Sequence, residues 1–185
     1  SAGLDIIKPS TESGGSALQN AAHTVAADYD NDGDIDLYVS CCFPASSSCR
    51  HYLLNNDLGR FKDVTAVSGI KHSGREYSAL FADYDNDGYF DLHIMREGGN
   101  LLYRNTGKGT FENVTVSTKA GDRTGGNKAI FFDYDHDGDL DIFEARNGIN
   151  RLYRNNADGT FVEQAQKAGV SGENLKSVDA VFIDF

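Results

Sequence analysis

Positive charge is scarce in this sequence: 17 lysines and arginines stand against 28 aspartates and glutamates, giving a formal net charge of −11 over 185 residues. Nucleic-acid recognition needs a basic footprint, so no nucleic acid is expected as a partner. Long apolar runs are missing as well. None approaches the roughly 20 residues of a helical membrane span, and no span is expected. No leader with a basic start and an apolar core is visible, although the numbering can begin at a mature or truncated end. The 3.6-residue apolar period of amphipathic helices is also lacking. Histidine is sparse, and His23, His51, His72, His93 and His136 do not pair with a nucleophile in any recognisable motif. No catalytic residue is therefore assigned, and each histidine reads as a surface or packing residue.

What is abundant is aspartate in one pattern. Asp28-Tyr29-Asp30-Asn31-Asp32-Gly33-Asp34-Ile35-Asp36 recurs from Asp83 to Asp91 and from Asp133 to Asp141. The three loops hold five, four and five aspartates, half of all the acidic residues. Such crowding is costly without a counterion, so the acidity reads as metal binding rather than as solvated turns. Alternating acids followed by a glycine describe a tight loop folded around one hard cation, the glycine permitting the sharp turn. No Cys or His holds a repeated ligand position, and all-oxygen sites suit calcium, magnesium or manganese rather than zinc or copper. Clustered carboxylates on a short loop favour calcium, because magnesium demands near-octahedral geometry and keeps its waters.

Three calcium sites are thus expected. The first comprises Asp28, Asp30, Asp32, Asp34 and Asp36, the second Asp83, Asp85, Asp87, Tyr89 and Asp91, and the third Asp133, Asp135, Asp137, Asp139 and Asp141. Positions 1, 3, 5 and 9 are aspartate in every copy and are read as side-chain ligands. Position 7 is Asp34, Tyr89 or Asp139, and Tyr89 points there to a backbone carbonyl ligand, as at the seventh position of calcium loops generally. An EF-hand is disfavoured. Its acid at position 12 is matched only by Glu144, with Val39 and Ile94 in the other copies, and no amphipathic helix follows the loops.

Around each loop the sequence reads as four short strands rich in Val, Ile, Phe and Tyr, separated by Gly and Asn turns. The loops start at residues 28, 83 and 133, and four-stranded units repeating at such intervals are the signature of propeller blades. The expected fold class is all-β, with β-propeller-type four-stranded blades: about three complete repeats plus partial ones at both ends. Residues 1–22 read as the end of a preceding repeat and a connector, 23–70 as blade 1, 71–121 as blade 2, 122–170 as blade 3, and 171–185 as the first strand of an incomplete blade 4. Thr24, Ala79, Ala129 and Ala180 are small residues in equivalent first strands, which suits the crowded inner part of a propeller. Ala180 to Phe185 match Ala129 to Tyr134, so Asp184 opens a fourth acidic loop that does not follow. The sequence is either a piece of a longer chain, the favoured reading, or is completed by neighbouring chains.

Cys41, Cys42 and Cys49 lie in an insertion peculiar to the first unit. A disulfide from Cys41 or Cys42 to Cys49 would staple that loop and imply an oxidising compartment, leaving one cysteine over. Arg104 and Arg154, equivalent in Tyr-Arg-Asn, read as salt bridges between blades or as stacking on Tyr. Asn113-Val114-Thr115 has the form of a glycosylation acceptor, but Asp63-Val64-Thr65 fills the same place in the first unit, which favours a blade element.

With the acidic loops and the repeated Leu-Tyr-Arg-Asn and Gly-Thr-Phe at 102–111 and 152–161, the sequence resembles the FG-GAP or VCBS repeat family, found in integrin alpha heads and in secreted proteins of the ASPIC/UnbV type. The resemblance implies a secreted or surface-exposed β-propeller with calcium in the first hairpin of each blade. With no catalytic constellation in the sequence, and because a propeller presents variable loops on a rigid ring, the leading expectation is a noncatalytic module for adhesion, recognition or scaffolding, with a protein or glycan as ligand. The alternatives are the noncatalytic part of a secreted enzyme, or a subunit of an extracellular polymer, a homo-oligomer or filament whose incomplete terminal blade is finished by a neighbouring chain.

Overall fold

The computed structural model describes residues 21–42, 49–121, 124–172 and 176–182. All but the last two residues of the expected preceding repeat and connector (1–22), the middle of the cysteine insertion and the opening of a fourth loop at Asp184 lie outside the described residues.

Three antiparallel four-stranded sheets follow one another along the chain, each with its strands in sequence order. The first contains β1 (Ala21–Ala27), β2 (Asp36–Cys42), β3 (Cys49–Asp57) and β4 (Arg60–Asp63). The second contains β5 (Glu76–Ala82), β6 (Asp91–Arg96), β7 (Leu101–Asn105) and β8 (Phe111–Asn113). The third contains β9 (Lys128–Phe132), β10 (Asp141–Ala145), β11 (Arg151–Asn155) and β12 (Phe161–Glu163). The one helix among the described residues is the single turn α1 (Thr115–Thr118). This all-β architecture of repeated up-and-down sheets is that of propeller-type blades.

The acidic loops occupy the same hairpin in each sheet. Ala27 pairs with Asp36, Ala82 with Asp91 and Phe132 with Asp141, so each loop closes the turn between a blade's first two strands. The turn requires left-handed backbone at two places. Asn31, Asn86 and His136 have φ of 56–61°, and the glycines two residues on have φ of 88–93°, where a side chain would be strained.

First strands pack face to face, β1 on β5 and β5 on β9. The seam between blades 1 and 2 is filled by Tyr29, Tyr38, Leu53, Leu92, Ile94 and Phe111. The next seam is filled by Tyr84, Met95, Leu102, Ile142, Tyr153 and Phe161. Ala79 and Ala129 are buried in these seams, whereas Thr24 is exposed, because no described strand covers that face of β1.

The connectors also repeat. Val67-Ser68-Gly69-Ile70 docks on the outer strand of the following blade, with the Phe111 amide donating to Ser68 O at 2.7 Å. Gly69 has φ +83°, and a Cβ there would collide with the carbonyl of Phe111.

Residues 177–182 form no strand. Lys176 makes an isolated bridge with Asn147, and Phe182 packs on Phe132 with ring centroids 4.7 Å apart. In the three blades the equivalent segment pairs with the strand after the acidic loop, and among the described residues no strand pairs with it here. A strand exists through its ladder partner, and without one the segment stays irregular.

Candidate metal centres in the acidic loops

Each loop builds its shape from its own carboxylates. Asp28 accepts the amides of Asp32 and Gly33 at 3.0 and 2.9 Å, and Asp83 and Asp133 do the same for their loops. Position 5 then receives the amide of position 7: Asp34 N on Asp32 at 2.8 Å, Tyr89 N on Asp87 and Asp139 N on Asp137. Position 9 is the buried anchor. Asp36, Asp91 and Asp141 are at most 1 % exposed. Each accepts an amide of its own loop, from Tyr29, Tyr84 or Tyr134, on one oxygen. The other oxygen accepts an amide of the third strand, from Asn56, Asn105 or Asn155.

This folding brings carboxylate oxygens together. In the first loop Asp28, Asp30 and Asp32 offer oxygens within 4.8 Å of one another. In the second and third the converging residues are Asp83, Asp85 and Asp91, and Asp133, Asp135 and Asp141. The side chains of position 7 lie apart from these groups. Asp34 accepts the Leu58 amide, Asp139 accepts the Asn86 side-chain amide, and the ring of Tyr89 lies against Gly107.

Electrostatics show what such a cluster needs. Burial, with repulsion from Asp30 and Asp32, pushes Asp36 up to about 6; burial, with repulsion from Asp85 and Asp87, pushes Asp91 up to about 8. Asp30, Asp85 and Asp141 are raised for the same reasons. The Oδ1 atoms of Asp30 and Asp85 are buried with no hydrogen-bond partner. Orphaned anionic oxygens among other carboxylates fit a hard cation with oxygen ligands. Several of these acidic clusters could hold a metal ion.

The loops are also joined to one another. Asn31 donates to Gly88 O at 2.9 Å, and Asn86 donates to Asp139 at 2.8 Å. A second latch runs deeper, in which Asn105 donates to Tyr29 O at 2.7 Å and to Phe90 O at 3.1 Å. Asn155 repeats this on Tyr84 O and Leu140 O. Tyr29 packs on Phe111 and Tyr84 on Phe161, both with centroids 5.6 Å apart. Tyr29 and Tyr84 are thus each held by the asparagine and phenylalanine of the following blade. Asparagine recurs at this place in all three units, as Asn55, Asn105 and Asn155, and that recurrence is the only mark the latch leaves in the sequence.

Arg104 and Arg154 differ from expectation. Arg104 pairs with Glu112 at 3.1 Å within blade 2, and Arg154 lies 3.8 Å from both Asp135 and Asp137 within blade 3, so neither bridges two blades. Asn113 accepts the Thr115 amide as Asp63 accepts that of Thr65, which makes this segment a blade element.

Three hairpin-loop sheets packed face to face define a repeat protein of the propeller type. The FG-GAP-like repeat pattern matches residues 28–94, 83–144 and 133–185, and the chain belongs to that repeat family. No curated protein is significantly similar to it. Among solved structures, it is similar to one described as the structural basis of recognition of non-reducing terminal N-acetylglucosamine by an Agrocybe aegerita lectin. The TM-score is 0.50 at 22 % identity, over 75 % of this chain and 37 % of that one. At that identity the likeness shows the fold alone, and the chain spans little more than a third of the other's length.

Proposed function

We infer that this chain is a noncatalytic recognition module of a secreted or surface protein, whose three acidic loops each hold one calcium ion and whose ligand is a glycan or a protein. The observation that carries the reading is the threefold convergence of aspartates on equivalent hairpins, two of them with an orphaned buried oxygen. Such loops would fix the first hairpin of each blade and, through the asparagine latches, the seams between blades. Calcium at millimolar concentration is an extracellular resource, which supports the secreted assignment. So does the register of the first sheet, which sets Cys42 opposite Cys49 and so suits a cross-strand disulfide.

The recognition surface most suited to a sugar lies at the strand ends remote from the calcium loops. A cleft of about 350 Å³ there is lined by Tyr77, Asn127, Asn147 and Arg151, with Gly125 and Gly126 at its wall. An aromatic ring, on which the Arg75 guanidinium lies at 5.7 Å, together with side-chain amides and a guanidinium makes a mixed apolar and polar lining suited to a small hydroxyl-rich ligand. The solved lectin similar to this chain has a described terminal N-acetylglucosamine specificity, which makes that sugar the first ligand to try. Calorimetric titration tests both parts. Three calcium ions should bind per chain, and an N-acetylglucosamine-terminated oligosaccharide should bind the calcium-loaded protein with a loss on Tyr77→Ala. Absence of calcium uptake would overturn the reading.

A further inference from the structure

The seam between blades 1 and 2 carries a cluster unlike the acidic loops, and it combines residues that are far apart in sequence. Tyr38 comes from β2, His51 from β3, His72 from the connector and Glu76 from the start of β5. The His72 and Glu76 side chains are 3 % and 1 % exposed, and Tyr38 is 1 % exposed. His72 Nε2 lies 3.6 Å from Glu76 Oε1 and 3.1 Å from the Tyr38 hydroxyl, which donates to Glu76 Oε2 at 3.0 Å. The ring of His51 stacks on that of His72, with centroids 4.2 Å apart and planes 19° from parallel.

We propose that His51, His72 and Glu76, with the Tyr38 hydroxyl beside them, form a binding site for a zinc-class divalent ion that pins blade 1 to blade 2. One ligand atom from each of His51, His72 and Glu76 lies within 4.8 Å of the others. Donors in a tetrahedral site with bonds of about 2.0–2.1 Å stand about 3.3 Å apart, and the 3.6 Å between His72 Nε2 and Glu76 Oε1 is close to that edge. Burial favours the neutral form of all three groups: it lowers His72, with the charges of His51 and Arg96 adding to it, lowers His51, and raises Glu76. Two imidazolium rings would not stack at this distance; two neutral rings do.

The donor set decides the metal. Two imidazoles and a carboxylate suit zinc, copper, nickel or iron, whereas calcium and magnesium prefer all-oxygen cages, so the site would not compete for the ions of the acidic loops. Arg96 opposes a cation here, but its guanidinium is turned to the carbonyls of Ser73 and Glu97, and the Glu76 carboxylate offsets its charge.

The test is titration of the whole chain with Co²⁺, then Zn²⁺, in millimolar calcium so that the aspartate loops are saturated. The expected result is the intense visible absorption of four-coordinate cobalt, lost on adding zinc. His72→Gln and Glu76→Gln should each weaken zinc by more than about 100-fold, beyond the cost of losing an outer-shell partner. Imidazole NMR on the unmutated protein gives a readout that does not depend on the variants folding. The resonances of His51 and His72 should shift with zinc while that of exposed His136 stays. Octahedral cobalt only, unmoved resonances at zinc saturation, or wild-type affinity in a folded His72→Gln protein would each overturn the proposal.

Discussion

Position 9 and position 7 of the acidic loop carry the same side chain in two of three copies, yet they do different work. Asp91 is buried with both oxygens on backbone amides, whereas Asp34 uses one oxygen on the exposed amide of Leu58. Asp91→Asn turns an amide NH2 toward a backbone N–H and is expected to cost about 2 kcal/mol, and more in calcium than in chelator, because the ionised carboxylate is what the metal requires. Asp34→Asn is expected to stay within about 0.5 kcal/mol in both. Thermal melts of the two variants with and without chelator check the contrast; equal losses would refute it. The same burial sets a pH dependence. Asp36 and Asp91 have folded values raised to about 6 and about 8, above the ordinary carboxylate range, so the calcium-free fold binds protons that the unfolded chain has released. Their contribution is fully present below about pH 4 and is lost as pH rises toward 8. In chelator the melting temperature should therefore fall between pH 5 and 8, and in calcium, which selects the ionised form, it should not.

At the scale of the element, the seams depend on residues that no local pattern marks. Asn105, 1 % exposed, joins β7 to the preceding acidic loop. Asn105→Ala would leave the carbonyls of Tyr29 and Phe90 without that donor, at a cost of about 2–3 kcal/mol in chemical denaturation. Asn105→Asp should be no better, since a carboxylate cannot donate. Gly69→Ala should cost more than about 3 kcal/mol, because the position combines left-handed backbone with direct contact to the Phe111 carbonyl. The hairpins and the loops were legible in the sequence because strand alternation, glycine turns and acidic spacing are local and occur three times. The latch was not, since Asn105 and Tyr29 are 76 residues apart. The His51, His72 and Glu76 cluster was hidden for the same reason: its members come from three elements of two blades. The irregular course of residues 177–182 and the exposure of Thr24 show the converse. A strand-like sequence becomes a strand only with a pairing partner, and a small inner residue is buried only where another blade covers it.

On the scale of the whole molecule, blade 2 is the member shared by both seams. Its Leu92 and Ile94 fill the first core, and its Met95 and Leu102 fill the second. Its acidic loop likewise receives Asn31 from the first loop and reaches Asp139 of the third. Loosening this hairpin disturbs two interfaces, whereas loosening the third disturbs one of the two described. With a dissociation constant of about 10 μM and about 1 mM calcium, each proposed site would add about 2.7 kcal/mol. Three sites together are comparable to the roughly 5–15 kcal/mol of net stability that a domain possesses. Chelation should consequently lower the melting temperature steeply. Asp85→Asn and Asp135→Asn remove the same carboxylate from blades 2 and 3, so local chemistry alone makes them equal, at about 5–10 °C each. Coupling through two seams makes Asp85→Asn the larger loss. Calorimetric scans of both variants in calcium measure the difference: equal shifts would mean that the blades melt independently, and no shift on chelating the unmutated chain would mean that the loops do not hold the molecule together through calcium.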